Sequence, residues 1–546
     1  ALRRKWFYVP YDQLTSAIGP LSQMDPKKVG MVLLEAPWKA AQRPYHKQKL
    51  ALVLANQRHF ALEQASRGVA VRYEVARGSY ADALTELAAE LGPLEMMEAA
   101  EWELRVSLAP LVARGSLEVH EHAGWLSSRE DFVVGSGTKP PWRMDAFYRR
   151  VRGRTGILME QGRPVGGKYS FDVENRKPWR GTPKAPSPPT FVPDAITLEV
   201  GELVETRFAH HPGTLDLSTL PATAANAESV WSWARSECVP AFGPYEDAMS
   251  TRSTGLFHTR VAALLNLHRL LPARVVHDVA TDESVPLASR EGFVRQILGW
   301  RELVRHVHVE TNGFRSLEQG KREGRSSAAP ASRDGGYGRW RKKSWPSEGE
   351  SADQGATPSE LGAVEPVPPA FWGTLSGLAC LDHVVESVWR EGYSHHITRL
   401  MILSNIATLL GLSARELTDW FWVAYIDAYD WVVEPNVLAM GTFATGEVMT
   451  TKPYVSGAAY IKRMSNYCET CAFDPAKNCP LTRLYWAFLD RHANRFAKNP
   501  RFAGPIASVR KRAVDEREED ARVLGVVRDR LRAGELLSPT ALLKKK

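Results

Sequence analysis

Cysteine is scarce, with five in 546 residues. A secreted scaffold held by disulfides needs a far denser set, so that class is excluded. Long apolar runs are missing too. No stretch reaches the roughly 18 residues that span a bilayer, which excludes a transmembrane helix and leaves no membrane partner to expect. The opening residues, ALRRKWFYVPYDQL, are basic but lack the small-residue cleavage site of a secretory signal. The expectation is a soluble, cytoplasmic protein. No GxGxxG follows the first candidate strand, so the usual dinucleotide fingerprint is absent.

What is present is a chain long enough for two or three domains, 44% hydrophobic and 24% charged. Net charge is +8, and basic residues crowd residues 139–180 and the C-terminal end, which closes on KKK. A basic surface favours encounter with polyanions, because neutralised phosphates release counterions. Ordinary solubility charge is the competing explanation. Tryptophan is plentiful, at 17 residues. It serves as core filler, as a stacking surface or as an electron relay.

The first 125 residues alternate. Candidate strands are KWFYVP (5–10), VGMVLLEA (29–36), VAVRYEVA (69–76), LEMMEAA (94–100) and LEVHEHA (117–123). Between them, SYADALTELAAELG places Ala81, Leu84, Leu87, Ala88 and Leu91 on one helical face, and Gly92 ends the helix. This alternation predicts an α/β domain over residues 1–135, with a parallel sheet covered on both faces. Residues 136–225, rich in glycine, proline and polar groups, predict an interdomain connection with one helix at 144–154. PKAPSPPTFVPD (183–194) excludes a regular element.

From residue 226 to 546 the chain reads helical, through SVWSWARSECV, TRVAALLNLHRLL, EGFVRQILGWRELVRHV, ITRLMILSNIATLLGL and SARELTDWFWVAYIDAYDWVV. One interruption, residues 320–360, is polar and rich in glycine and serine. It buries too little apolar surface to offset its ordering entropy and is expected to be a disordered insertion. Its RWRKKSW core is basic, but an inert insertion is favoured over a nucleic-acid contact.

Three cysteines, Cys468, Cys471 and Cys479, lie within twelve residues as CxxC followed by Cys-Pro. Cys380, in GLACLDHVVESVW, and Cys238, in SECVP, are the two candidates for a fourth ligand. Four thiolates suit zinc or an iron–sulfur cluster. A zinc ribbon usually shows two CxxC pairs, and this chain has one. A cubane takes ligands from separated segments. A CxxC redox pair with stray buried cysteines is the third reading.

YSHHITRLM puts His395 and His396 at the start of a helix, with Arg399 one turn after His396. WFWVAYIDAYDWVVEPN adds Asp427 among aromatic residues. A buried arginine and aspartate need each other or a polar ligand. These residues read either as a core ion pair with satisfied histidines or as a cofactor pocket. In the pocket, a histidine donates a proton and the Arg–Asp pair brackets a heterocycle.

The segments EAPWKAAQRPYHKQKLALVLANQRHFA, GGKYSFDVENRK, FGPYEDAM, GFVRQILGWRELVR, YSHHITRLM, KPYVSGAAYIKRMSNYCETC and NCPLTRLYW run in order from about residue 34 to about residue 488. They resemble the iron–sulfur bacterial cryptochrome/photolyase group, the prokaryotic (6-4) photolyases and related bacterial cryptochromes. The resemblance implies a Rossmann-like α/β antenna domain holding 6,7-dimethyl-8-ribityllumazine and a large all-α FAD-binding domain. It also implies a [4Fe-4S] cluster on Cys380, Cys468, Cys471 and Cys479, with Cys238 outside it. The implied activity is that of a (6-4) DNA photolyase. An electron from photoexcited reduced FAD repairs a UV-induced pyrimidine–pyrimidone (6-4) photoproduct, with a protonated histidine assisting. The lesion must flip out, because the stack hides the damaged bases and damage weakens the stack. The implied partner is UV-damaged DNA, single- or double-stranded, met by a monomer. The alternative within the group is a blue-light photoreceptor that binds FAD and signals without repair. Outside it stands a zinc-bearing nucleic-acid module without flavin.

By the same resemblance, His395 and His396 match the paired histidines of the lesion pocket, with His396 as proton donor, and Tyr454 matches a lesion-side tyrosine. Arg399 and Asp427 match the ion pair beside the isoalloxazine. Tyr245, Thr259, Gln296, Trp300 and Arg301 match FAD contacts. Trp420 and Trp372 match aromatic positions that carry electrons between the surface and FAD. Glu35, Tyr45 and Lys47 fall in the antenna-site motif. The chain departs from the group's pattern at several points. HTRVA replaces HSxLS, which puts Ala262 where a hydroxyl is typical. Val433 stands where a carboxylate often faces flavin N5, with Glu434 next. Phe421 replaces a tyrosine after the relay tryptophan. The gap from Cys471 to Cys479 is shorter, VPYDQL replaces an LGDQL-like element, and the 320–360 insertion is unusual.

Overall fold

The structure, a computed structural model, describes residues 4–317 and 355–543. Most of the 320–360 insertion, RWRKKSW included, lies outside the described residues. All five expected strands form: β1 (Lys5–Tyr8), β2 (Val29–Glu35), β3 (Ala70–Val75), β4 (Leu94–Met97) and β5 (Leu117–His120). They make one parallel sheet in the order β3-β2-β1-β4-β5. Lys5 pairs with Val29, Gly30 with Ala70, and Leu94 with Leu117.

Alternation along the strands divides their side chains between two cores. Phe7, Met31 and Leu33 pack with Phe60, while Tyr8, Val32 and Leu34 pack with Leu52 and Leu84. β2 is buried at every position, as a strand covered on both faces must be. At Gly30 a Cβ would lie 2.3 Å from the Trp6 ring, so only glycine lets that indole cross β2. The predicted helix is Tyr80–Leu91, started by a Ser79/Asp82 capping box and ended by Gly92 at φ 89°. Strand order reverses on either side of β1, which opens a crevice beyond the carboxyl ends of β1 and β4.

Residues 136–225 hold more regular structure than the sequence suggests. The expected helix is there, as Met144–Thr155, and residues 183–194 form no regular element. A second helix, Ala195–Arg207, is unforeseen. Its Thr197, Val200, Gly201 and Val204 form a buried stripe at helical spacing, capped by Asp194 accepting from the Thr197 amide. The proline run just before it masks that pattern. The helix packs on the helix Lys47–Ser66.

Beyond residue 223 the chain is helical but not in continuous rods. TRVAALLNLHRLL forms only the short helix Ala262–Asn266, because Arg260 and His268 take left-handed conformations at φ 55° and 57°. The expected helix over 413–433 breaks between Ala414–Ala424 and Asp430–Val433. Two bonds hold the break open: Lys49 Nζ donates to the Ala428 carbonyl at 2.5 Å, and the Asn266 amide donates to the Asp427 carbonyl at 2.9 Å. The freed loop carries Asp427. No described helix is long and apolar enough to cross a membrane.

Candidate functional site

A cavity of about 840 Å³ opens in the helical part, a size suited to a cofactor-scale ligand. One wall is a single helical face running through Leu287–Val294, Arg295–Arg301 and Glu302–Glu310. Phe293, Gln296, Ile297, Trp300, Arg301 and Val304 recur along it at three- and four-residue spacing and line the cavity. Three π-helical turns, Arg295–Arg301, Arg399–Ser404 and Glu434–Gly441, all contribute lining residues. Such turns re-aim the side chains that follow and concentrate at functional sites.

Thr259, Gln296, Trp300, Arg301, Arg399, Asp427, His395, His396 and Tyr454 all line this one cavity. Tyr245 is not among the lining residues. Its hydroxyl donates to the Thr182 carbonyl at 3.1 Å and its ring packs on Phe257, while its neighbours Glu246 and Asp247 face the cavity.

Arg399 and Asp427 form a two-pronged ion pair, at 3.1 and 3.0 Å. The guanidinium also donates to the Ser394 carbonyl at 2.8 Å and lies 4.0 Å from the Tyr425 ring centroid. Arg301 is different. It is buried 4.3 Å over the Trp125 ring, and its Nε and Nη2 have no hydrogen-bond partner among the described residues. Burial pushes its pKa down to about 10, against the opposing pull of Glu302. A buried guanidinium with open N–H groups is matched by an anion.

The histidine pair is in fact a triple. His258, first residue of HTRVA, stacks on His395 with centroids 4.3 Å apart and lies edge-on to His396 at 5.1 Å. No local pattern gives His258 a role; only its place at the head of HTRVA, where the group has HSxLS, marks it. Burial pushes all three below the ordinary histidine range, His396 to about 4, where Arg295 and Arg399 reinforce the effect and Asp172 opposes it. His258 Nε2 and His395 Nδ1 lack partners among the described residues. Tyr454 lines the same cavity beside the basic Arg176, Lys452, Arg463 and Arg501.

At the departures, Ala262, Phe421 and Val433 all line the cavity. Glu434 turns away into a buried cluster, 2.9 Å from His308 and 2.7 Å from Arg415. Trp420, fully buried, sits behind Phe421 with ring centroids 5.3 Å apart. Trp420 and Trp372 meet through a third indole, Trp389, on the same helix as Cys380.

The four expected cysteine ligands gather from separate segments. Cys380 is buried on the helix Ala379–Glu391, and its thiol is raised by burial and then by Cys479, Cys471 and Cys468. Cys479 caps the helix Pro480–Arg491. The short loop reaches it through a tight turn in which the Asp474 carbonyl accepts from the Asn478 and Cys479 amides. All five cysteines are free thiols, and Cys238 lies apart, beside Arg260.

Each of the expected antenna residues is engaged by another side chain. Glu35 accepts from Arg58 at 2.7 Å and Tyr73 at 2.5 Å. Lys47 pairs with Glu205 at 2.6 Å, on the unforeseen helix, and Tyr45 is buried under Lys49. The crevice beyond β1 gathers other groups: the Tyr11 hydroxyl, Asp12 Oδ1, Trp38 Nε1 and the Tyr429 hydroxyl are buried without partners among the described residues. Burial lifts the Asp12 carboxyl to about 7.

The family described as "Deoxyribodipyrimidine photo-lyase-related protein" matches residues 7–219. A (6-4) photolyase of Agrobacterium fabrum is 30% identical over 525 residues, covering 93% of this chain and 96% of that one. Among solved structures, a bacterial class III photolyase from Agrobacterium tumefaciens aligns at TM-score 0.52 and 13% identity, over 98% of this chain and 97% of that one. A Synechocystis cryptochrome aligns at TM-score 0.50 and 12% identity, over 80% and 82%. The structural matches establish the fold.

Proposed function

This chain belongs to the bacterial (6-4) photolyase family, and from that premise we propose that it is a light-dependent DNA-repair lyase acting on (6-4) pyrimidine–pyrimidone photoproducts. The observation that carries the proposal is that the expected flavin contacts and the expected lesion residues line one cavity. When bound, FAD supplies the light-driven electron that the repair requires. Thr259, Gln296, Trp300, Arg301, Arg399 and Asp427 are the residues that hold it. The open N–H groups of buried Arg301 suit its anionic portion.

His395, His396 and Tyr454 receive the flipped lesion, and the imidazole N–H of His396 is the proton donor. Without DNA, His396 is held near 4 and is neutral at pH 7. A phosphodiester entering past Lys452 and Arg501 adds negative charge, which raises His396. Protonation therefore accompanies substrate binding. Arg176, Lys452, Arg463 and Arg501 hold the DNA backbone at the mouth and carry no sequence information.

We assign a [4Fe-4S] cluster to Cys380, Cys468, Cys471 and Cys479. The thiols are near enough to influence one another. Yet no three of them lie within 4.8 Å of one another, as they would around a single zinc with bonds of about 2.3 Å. The cluster clamps the helix Ala379–Glu391 to the loop ahead of Cys479. For 6,7-dimethyl-8-ribityllumazine we assign the crevice of Tyr11, Asp12, Trp38 and Tyr429, whose unmet polar atoms suit a polar heterocycle better than the already paired Glu35 and Lys47. The domains run over 1–135, 136–225 and 226–546, and the protein acts in the cytoplasm as a monomer. The test illuminates reduced protein with lesion-bearing single-stranded DNA. Loss of the lesion in light alone supports repair. A flavin-loaded protein that leaves the lesion intact supports the blue-light receptor instead.

A further inference from the structure

His396 and Tyr454 reach the cavity from separate segments, and their spacing depends on what joins those segments. We propose that Asn405 and Asn499 are positioning residues that hold the strap of residues 451–456 against the helical run of His396, and so set where Tyr454 meets a flipped lesion. The proposal rests on the lesion reading above.

The strap does little to hold itself. Lys452, Tyr454 and Val455 make no backbone hydrogen bond among the described residues, and Pro453 has no N–H to give. The Tyr454 hydroxyl has no hydrogen-bond partner among them either, so its ring goes where the backbone takes it. Lys452 and Tyr454 nevertheless line the cavity.

Each end of the strap is tied by an asparagine. At the inner end, Asn405 is fully buried at the start of the helix Asn405–Leu410. Its Oδ1 accepts from the Ser456 amide at 2.9 Å, and its Nδ2 donates to the Ser456 carbonyl at 3.0 Å. One side-chain amide thus meets both backbone groups of one residue, as a neighbouring strand would. At the outer end, Asn499 Nδ2 donates to the Thr451 carbonyl at 2.7 Å, while its Oδ1 accepts from the Arg501 amide at 3.0 Å. Arg501 lines the same cavity, so this second tie joins the strap to a cationic residue of the mouth.

The inner tie is firm because of what it hangs from. His396, Arg399 and Asn405 lie along one helical run, through His396–Thr398, the π turn Arg399–Ser404 and Asn405–Leu410. Asn405 therefore registers Tyr454 against the expected proton donor and against the Arg399–Asp427 pair together. The position demands an amide. A leucine there would leave the Ser456 N–H and C=O without their buried partner. An ionised aspartate would set a carboxylate oxygen against the Ser456 carbonyl, whereas its neutral acid form offers an O–H and a C=O in the same places.

The experiment uses the full flavin-loaded chain, chemically reduced, and two oligonucleotides of one sequence, with and without a single (6-4) lesion. Affinity for each is measured in the dark, and repair per absorbed photon is measured at saturating DNA. Asn405→Leu should bind the lesion about tenfold more weakly and repair severalfold less per photon. Its affinity for undamaged DNA and its flavin spectrum should match wild type. Asn405→Asp should regain lesion affinity, relative to wild type, as pH falls from about 9 to about 6 and its carboxylate becomes the neutral acid. Asn499→Ala, at the exposed end, should weaken lesion binding in the same direction and carries the test if Asn405→Leu folds poorly. Wild-type lesion affinity and repair in flavin-loaded Asn405→Leu and Asn499→Ala would overturn the proposal, as would an equal loss of affinity for damaged and undamaged DNA. A wild-type protein that holds flavin but does not favour the lesion strand would overturn the lesion reading instead.

Discussion

The imidazole of His258 lies flat against that of His395, with centroids 4.3 Å apart and planes within 7°. Both rings are buried, and burial outweighs every other influence on their protonation. Two imidazolium rings in such contact repel, so His258, His395 and His396 titrate as one unit that carries at most one proton under working conditions.

That coupling gives repair a pH dependence with a definite sign. His396 faces Arg295 and Arg399, which disfavour its proton, and Asp172, which favours it. The acid form is scarce at neutral pH, so repair per absorbed photon should rise as pH falls from about 8 to about 6. Asp172→Asn removes the supporting carboxylate and should move the profile to lower pH. A profile that climbs with pH would contradict the assignment of a histidine donor.

Asp427→Ala leaves the Arg399 guanidinium unpaired against Tyr425. Losing one member of a buried pair should cost about 3 kcal/mol in urea denaturation. The double replacement Arg399→Met, Asp427→Leu should recover most of that stability yet still fail to retain flavin. Recovery of flavin in the double variant would show that the pair serves folding alone.

Glu434 tests the opposite expectation, a carboxylate with a structural role only. His308, Arg415 and Arg315 hold it down to about 2 despite burial. Its folded pKa is depressed, so its contribution is fully present above the ordinary glutamate value of about 4.3 and is lost as pH falls toward 2. Glu434→Gln should lower stability at neutral pH by on the order of 3 kcal/mol and flatten the acid limb. The flavin spectrum should not change, because Val433 occupies the cavity-facing position. An altered flavin spectrum would place the carboxylate at the flavin after all.

Iron content should separate the cysteines. Cys380→Ala and Cys479→Ala should each lose iron and the broad visible absorbance of a cluster, while Cys238→Ala should keep both. Iron retained in Cys380→Ala would remove the clamp between the two segments.

Extraction and chromatography of bound chromophores should separate the antenna candidates. Asp12→Asn and Trp38→Phe should lower the lumazine recovered, whereas Glu35→Gln and Lys47→Met should not. The reverse pattern would return the site to the sequence motif.

The sequence was most legible where one local pattern decides one element. The five strands, the helix ended by Gly92 and the face from Phe293 to Val304 all follow from periodicity. It was least legible where distant partners override local preference. The loop carrying Asp427 interrupts a strongly helical stretch because Lys49 and Asn266 capture its carbonyls. His258 joined the site through ring contacts with His395 and His396, more than a hundred positions away, for which no local pattern exists. Glu35 and Lys47 read as ligands in their motif, but their partners Arg58 and Glu205 appear only in three dimensions.

The central claim is most directly tested with an oligonucleotide carrying a single (6-4) thymine–thymine lesion. Chemically reduced, flavin-loaded wild type and His396→Asn are illuminated with it, and the strands are then resolved by chromatography. Restored thymine pairs in the illuminated wild type, with none in the dark and little with His396→Asn, is the predicted result. An intact lesion after illumination of flavin-loaded wild type would contradict the account.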